Sequence, residues 1–302
     1  MRRRRPDKRI ILPDPIYNDV VVAKFINYIM KGGKKGIAET IFYSSLNIIK
    51  EQSKNTSLLI ASSETDRLAM SASFQIDPSR IEISGLPRND LILNPGIFNK
   101  ELPHVKAEQE SLTAQLKGRS LILYAPTYRG TSQHANNAFK PSASFERKLS
   151  KILSDNNAIL GVRVHKFSPS IKFPLLEANN QAIPLPSQII TNTSILLNNT
   201  AVLITDFSSI WIDFLLSKRA IIGFIPDRAE YQKSRGYIYN LESIFPGTIT
   251  EDEDQLISEI KRCLGTSFMP NTKYLNSITT FHLHQDGKNT ERAFFALRQC
   301  QA

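Results

Sequence analysis

Five residues, Thr205-Asp206-Phe207-Ser208-Ser209, directly follow the apolar run Ala201-Val202-Leu203-Ile204. They precede the helical pattern Ile210-Trp211-Ile212-Asp213-Phe214-Leu215-Leu216, so they mark a strand–turn–helix junction. Ser is favoured at helix N-caps because its oxygen accepts first-turn N–H groups. The free N–H groups and the dipole of such an end also seat phosphate. The chemistry on offer is the holding of a nucleotide diphosphate. The plain alternative is an ordinary N-cap, and these five residues alone leave the two even.

The elements that must position this junction alternate along the chain. Strands are expected at Leu58–Ala61, Ile81–Ser84, Ser120–Tyr124, Ile159–Val164, Ala201–Thr205 and Ala220–Phe224. Helices are expected near 65–73, 106–117, 143–155, 208–217, 252–264 and 287–299. Apolar strands separated by helices imply a parallel sheet covered on both faces, an α/β fold. Ligands in such folds lie outside the carboxyl ends of the strands. Pro126-Thr127-Tyr128-Arg129, His165-Lys166 and Asp206–Ser209 each follow one of these strands. There is no Walker-type loop and no Gly-rich dinucleotide fingerprint, which disfavours P-loop and NAD-type readings.

The 302 residues suffice for two ordinary domains or one large one. No apolar run approaches the roughly 20 residues that span a bilayer. The basic start Met1-Arg2-Arg3-Arg4-Arg5 has no long apolar core behind it and does not read as a secretory signal. Cys263 and Cys300 match no metal or redox spacing and read as reduced thiols of a cytoplasmic protein. His282, Leu283, His284 and Asp286 lack a second ligand set, so no metal site is expected. The other histidines besides His165 read as surface residues. The net charge of +10 is uneven. Residues 1–52 carry eleven Lys/Arg against five Asp/Glu, or +6, and the rest of the chain carries +4. Such asymmetry suggests an arm that meets nucleic acid or an anionic membrane.

Within residues 1–52, Val21, Val22, Phe25, Ile26 and Ile29 fall at helical spacing. The basic turn Lys31-Gly32-Gly33-Lys34-Lys35-Gly36 leads into a second helical run through Ala38, Ile41, Phe42, Ser45, Leu46 and Ile49. This is a short helical hairpin. With Ile11-Leu12-Pro13-Asp14-Pro15, Ala23-Lys24-Phe25-Ile26-Asn27 and Ala38-Glu39-Thr40-Ile41-Phe42-Tyr43-Ser44, it resembles the start of bacterial small-subunit ribosomal protein number seven. The match stops near Gln52. That resemblance implies ribosomal-RNA contact through Arg2, Arg3, Arg4, Arg5, Lys34 and Lys35, since phosphate contacts need only charge and reach. The alternative is an appended fragment.

From about residue 57 to 300 a second resemblance is carried by several motifs in order. They are Gly85-Leu86-Pro87-Arg88-Asn89-Asp90, Tyr124-Ala125-Pro126-Thr127-Tyr128-Arg129, Val162-Arg163-Val164-His165 and Thr205–Ser209. Asp227-Arg228-Ala229-Glu230-Tyr231, Arg235-Gly236-Tyr237 and Pro246-Gly247 follow. Together they resemble the CDP-glycerol glycerophosphotransferase family of teichoic-acid polymerases and primases. The resemblance implies the parallel-sheet, Rossmann-like donor lobe of a GT-B type transferase over residues 57–302. It implies transfer of glycerol phosphate from CDP-glycerol to an acceptor hydroxyl with release of CMP, without a cofactor. A GT-B glycosyltransferase using another nucleotide donor is the alternative.

In that light Ser208, Ser209, Asp206, Arg129 and Thr127 would surround the donor diphosphate. Asp206 would orient the turn through backbone N–H groups. Arg129 would neutralise a phosphate with a bidentate fork, unless it is a solvated loop residue. Glu230, Arg235 and Arg88 would face the nucleoside, with a surface ion pair or a link between lobes as the alternatives. His165 would be catalytic, because an imidazole with an ordinary pKa of roughly 6.5 can protonate a leaving phosphate. The implied partners are a lipid-linked polymer acceptor and a peripheral contact with the inner face of the cell membrane, in the cytoplasm. The family's Trp-His-Gly-Thr-Pro stretch is absent, and the sole tryptophan, Trp211, follows Ser209. The expectation is a donor-binding half that transfers slowly, since a missing general base costs roughly 10²–10⁴-fold.

Overall fold

Strands buried on both faces must be apolar almost throughout, and the strands of the chain form two sheets. In a computed structural model, residues 13–16, 22–23, 25–26, 36–44, 58–97, 103–127, 139–164, 170–229, 231 and 240–300 are described. β1 (Leu59–Ile60) and β2 (Ile81–Glu82) pair only with each other, in parallel. The main sheet contains β3 (Ser120–Ala125), β4 (Ala158–Val162), β5 (Ala182–Pro184), β6 (Thr200–Thr205), β7 (Ala220–Phe224) and β8 (Thr248–Thr250). Its spatial order is β5-β4-β3-β6-β7-β8, with every pair parallel. Counted from β3, this is the doubly wound order, and the direction of winding switches between β3 and β6.

Side chains alternate across the sheet and split the core in two. Leu121, Leu123, Leu203 and Ile221 pack on one face with Leu112, Ile195, Trp211, Phe214, Tyr274 and Phe281. Ile122, Tyr124, Ile204 and Ile222 pack on the other with Phe145, Leu149, Phe173, Leu256 and Ile260. Each such fully buried side chain contributes about 1.5–3 kcal/mol. The helices of the second face, Ala143–Asp155 and Glu253–Gly265, start on Ser142 and Asp252, whose side chains accept first-turn N–H groups. Gly247 packs so closely before β8 that a Cβ would lie 1.8 Å from the Ile221 carbonyl oxygen.

The expected strands at 58–61 and 81–84 are present, but they do not join the main sheet. They flank the helix Glu64–Phe74 and enclose a small core of Ala61, Ile76 and Ile81. Two edge strands, β5 and β8, were not expected. At three residues each they are too short for an apolar run, and Pro184 is tolerated because it sits at an edge. The helices Thr193–Asn199 and Thr272–Phe281 were also missed, although Asn192 and Asn271 cap them through their side chains. The helix expected over 208–217 is a five-residue α-helix, Ile210–Phe214, followed by a 3-10 turn, Leu215–Ser217.

The last helix, Asn289–Gln299, is held by the Gly85–Asp90 motif. The Asp90 carboxylate accepts the backbone N–H groups of Asn289 at 2.9 Å and Thr290 at 2.7 Å. Gly85 has φ +75°, and a Cβ there would lie 2.1 Å from the Asn289 Oδ1. Arg292 donates to the Ser84 carbonyl at 2.9 Å. Near the amino terminus, residues 22–23, 25–26 and 36–44 are helical, and the Phe25 and Phe42 rings stand 5.4 Å apart. The Tyr43 hydroxyl donates to Asp14. The RNA-contact candidates Arg2, Arg3, Arg4, Arg5, Lys34 and Lys35 lie outside the described residues.

Replacing Asp90 by Ala removes both cap bonds of the last helix, which is expected to cost about 1–2 kcal/mol. Urea unfolding of D90A reads this directly. An unchanged midpoint would mean that the last helix does not depend on this carboxylate.

Candidate functional site

The winding switches between β3 and β6, and in open α/β sheets ligands bind beyond the carboxyl ends of the strands at such a point. The last paired residues there are Ala125 and Thr205. The buried Thr205 hydroxyl donates to the Ala125 carbonyl at 2.7 Å. Next in chain, Asp206 is only 2% exposed. Its Oδ1 accepts the Thr127 N–H at 2.9 Å, the Thr127 hydroxyl at 2.6 Å and the Ser208 N–H at 3.2 Å. Its Oδ2 stands 3.0 Å from the Thr127 nitrogen. One carboxylate therefore ties the loop after β3 to the turn after β6. Its lone pairs are engaged with N–H and O–H donors, as a buried charge requires. The Thr127 hydroxyl hydrogen is likewise committed to Asp206.

Ser209 occupies the N-cap position of the helix Ile210–Phe214 yet makes no side-chain cap bond. Ser208 Oγ accepts the Ile210 N–H only at 3.5 Å. Among the described residues neither serine hydroxyl donates to any group, and the Ser209 N–H has no acceptor. An ordinary cap uses its side-chain oxygen as the acceptor, and Ser209 does not. Ser209 is exposed and Ser208 is half-buried. The helix is too short for a large dipole, so the turn offers local donors: two hydroxyls and one N–H.

Other expected site residues are placed as follows. Phe207 stacks on Tyr231, with ring centroids 3.7 Å apart and planes at 17°. Arg228 binds Glu242 at 2.6 Å and Glu251 at 3.1 Å, and those carboxylates raise its pKa. Glu230, Arg235, Arg129 and His165 lie outside the described residues. The strand before His165 is described: β4 lies beside β3, and the Arg163 N–H donates to the Tyr124 carbonyl at 2.9 Å. The Arg163 guanidinium donates to the Ile190 carbonyl at 2.6 Å, and burial lowers its pKa. Arg88 forks onto Asp213, with Nε and Nη2 at 3.0 and 3.3 Å from its oxygens. Its guanidinium thus serves the helix Ile210–Phe214.

One expectation needs correction. His282, read as a surface residue, is 3% exposed. It ends the helix Thr272–Phe281, and its Nε2 lies 2.7 Å from the Ile212 carbonyl oxygen. Its signal was the spacing of Tyr274, Ile278 and His282, one helical face whose other members are apolar. His284 is half-buried, with Nε2 3.1 Å from the Ile83 carbonyl oxygen. Cys263 is buried and Cys300 exposed, both unbridged. Among the described residues no cluster of His, Cys, Asp or Glu is suited to a metal, and no helix is long and apolar enough to cross a membrane.

Residues 31–297 match the family model described as CDP-Glycerol:Poly(glycerophosphate) glycerophosphotransferase. The chain belongs to this family. It is 28% identical over 223 residues to the teichoic acid ribitol-phosphate primase of Bacillus spizizenii, covering 72% of this chain and 53% of that protein. The Wall Teichoic Acid Polymerase TagF has the same fold: TM-score 0.63 at 21% identity, over 84% of this chain and 60% of that one. One TagF structure was soaked with CDPG. The main sheet is therefore the Rossmann-like lobe of a GT-B type fold. A stretch of 54 residues is 57% identical to the small ribosomal subunit protein uS7 of Kosmotoga olearia, 18% of this chain and 35% of that protein. The chain spans about half the length of the curated teichoic-acid relatives it matches.

Burial lowers the His282 pKa below its ordinary 6.5, with the Ile212 carbonyl, Asp213 and Asp66 acting against that shift. In the window below 6.5 the unfolded chain then binds more protons than the folded one. Stability is expected to be full above about pH 6.5 and to fall as the pH drops through that value. Urea unfolding at several pH values checks this, and His282→Gln should flatten the fall.

Proposed function

We propose that this chain is the donor-binding part of a glycerophosphotransferase of teichoic-acid-like polymer synthesis. The donor is CDP-glycerol or a related CDP-polyol. Its diphosphate lies at the turn Ser208-Ser209, near Thr127. The observation that carries this reading is the pair of uncommitted hydroxyls and the uncommitted Ser209 N–H beside the buried Asp206 bridge. Membership of the glycerophosphotransferase family and the CDPG soak of TagF support it.

In the reaction an acceptor hydroxyl oxygen attacks the phosphorus that carries the glycerol. The bond from that phosphorus to the bridging oxygen breaks, CMP departs with the electron pair, and the acceptor's hydroxyl proton passes to solvent. Charge gathers on the departing phosphate, where preorganised donors stabilise it most. Ser208, Ser209 and Arg129 supply such donors, and His165 gives the departing oxygen its proton. Asp206 keeps the serine turn and the Thr127 loop in register and takes no proton itself. Glu230 and Arg235 face the nucleoside. The acceptor is a lipid-linked polymer met at the inner face of the membrane. With no Trp-His-Gly stretch in this chain, no residue of that motif activates the acceptor, and transfer by the chain alone is slow.

Calorimetry with CDP-glycerol tests the reading. Wild-type protein should bind, and the double variant Ser208→Ala, Ser209→Ala should bind about tenfold or more weakly. No heat from folded protein at millimolar ligand would refute it. CMP release should vanish in His165→Ala while its affinity stays within a few fold, and equal turnover would remove His165 from the mechanism.

A second reading is favoured by the segment similar to uS7: an RNA contact through residues 1–52. RNA affinity should then fall steeply with salt and disappear when residues 1–52 are deleted. Retention unchanged by the deletion would exclude it.

A further inference from the structure

The helix Ile210–Phe214, whose amino end presents Ser208 and Ser209, is five residues long. Its carboxyl end is poorly closed from within. The Leu215 N–H is shared among the carbonyls of Trp211, Ile212 and Asp213. Terminal carbonyls of this kind need an outside donor when buried. The imidazole of His282 supplies it. A carbonyl oxygen only accepts, so Nε2 carries the proton and donates to the Ile212 carbonyl at 2.7 Å. The Ile212 N–H in turn bonds the Ser209 carbonyl at 3.0 Å. A two-bond path therefore runs from the imidazole to the peptide of Ser209.

The residues around His282 anchor this contact. Phe281 packs edge-on against Trp211, with ring centroids 5.2 Å apart. The Leu283 N–H donates to the Ser62 carbonyl at 2.9 Å, just beyond β1. His284 engages the Ile83 carbonyl at 3.1 Å, just beyond β2. Residues 281–284 thus form a strap. It is fixed at the carboxyl ends of both strands of the small sheet, and it grips the short helix on the next residue. Arg88, pinned to Asp213, braces the same helix from the Gly85–Asp90 motif.

We propose that His282 is a positioning residue for the donor site: by closing the carboxyl end of the short helix it holds Ser208 and Ser209 where the diphosphate is received. The inference rests on the donor reading above. It adds a residue some 70 positions away in sequence that touches no part of the ligand.

The test is calorimetry with CDP-glycerol on the full chain, with three variants. His282→Phe keeps an aromatic ring and removes the donor. It should weaken binding by about tenfold, the effect of one lost hydrogen bond. His282→Gln retains an N–H at the corresponding reach and should bind within about threefold of wild type. Leu256→Ala, in the core of the opposite face, should lower the melting temperature and leave affinity unchanged. Amide exchange at Ser209–Asp213 should be faster in His282→Phe and near wild type in His282→Gln. Wild-type affinity in His282→Phe overturns the inference. An equal loss in Leu256→Ala also overturns it, because a general loss of stability would then suffice. No heat from the wild-type protein overturns the donor reading, and this inference with it. Heat from wild type with unchanged affinity in His282→Phe overturns this inference alone.

Discussion

A carboxylate almost fully out of water is stable only if donors surround it, and the donors must be rigid to do so. Asp206 finds them in the Thr127 N–H and hydroxyl and in the Ser208 N–H. Those groups sit just past the carboxyl ends of the two central strands, at the place where the winding reverses. The bridge therefore does for two loops what backbone pairing does for two strands. It fixes their separation. Thr205 repeats the link one residue earlier, through its hydroxyl and the Ala125 carbonyl. The serine turn inherits its position from this pair of contacts on one side and from the strap of residues 281–284 on the other.

The polar groups of the molecule divide by how they are employed. Arg163, Arg228, Arg88 and Arg292 all have acceptors in the described structure. They brace loops, and their charges are not spare. The Gly85–Asp90 motif is architectural in the same sense: it seats the last helix through Asp90 and admits Asn289 only because Gly85 has no side chain. The hydroxyl hydrogens of Ser208 and Ser209 have no acceptor among the described residues.

The small sheet of β1 and β2 has a different standing. Two strands of two residues each are marginal by themselves. They are held by the helix Glu64–Phe74 and by the returning end of the chain, through Leu283, His284 and Arg292. The carboxyl-terminal helices thus join the small sheet, built within residues 59–82, to the main sheet, built within residues 120–250. Sequence neighbours do not make this joint. Contacts of about 200 residues' separation make it, of which the Asp90 cap on Thr290 is one.

The sequence by itself determined the fold class, the central strands and the junction at Thr205–Ser209. Apolar runs and turn residues are local signals, and a buried parallel strand cannot be written in any other way. The order of the motifs was enough to indicate the family. Only the tertiary structure decided what those residues are bonded to. It set β1 and β2 apart from the main sheet, because pairing depends on partners and not on a strand's own composition. It left Ser209 without a cap bond although Ser is the usual cap, because the turn's geometry directs the Ser208 N–H to Asp206. It gave His282, whose helical spacing with Tyr274 and Ile278 marks the buried face, its partner, the Ile212 carbonyl of a distant short helix. Periodicity records which side of an element faces the core, whereas a hydrogen bond across 70 residues leaves no period to read.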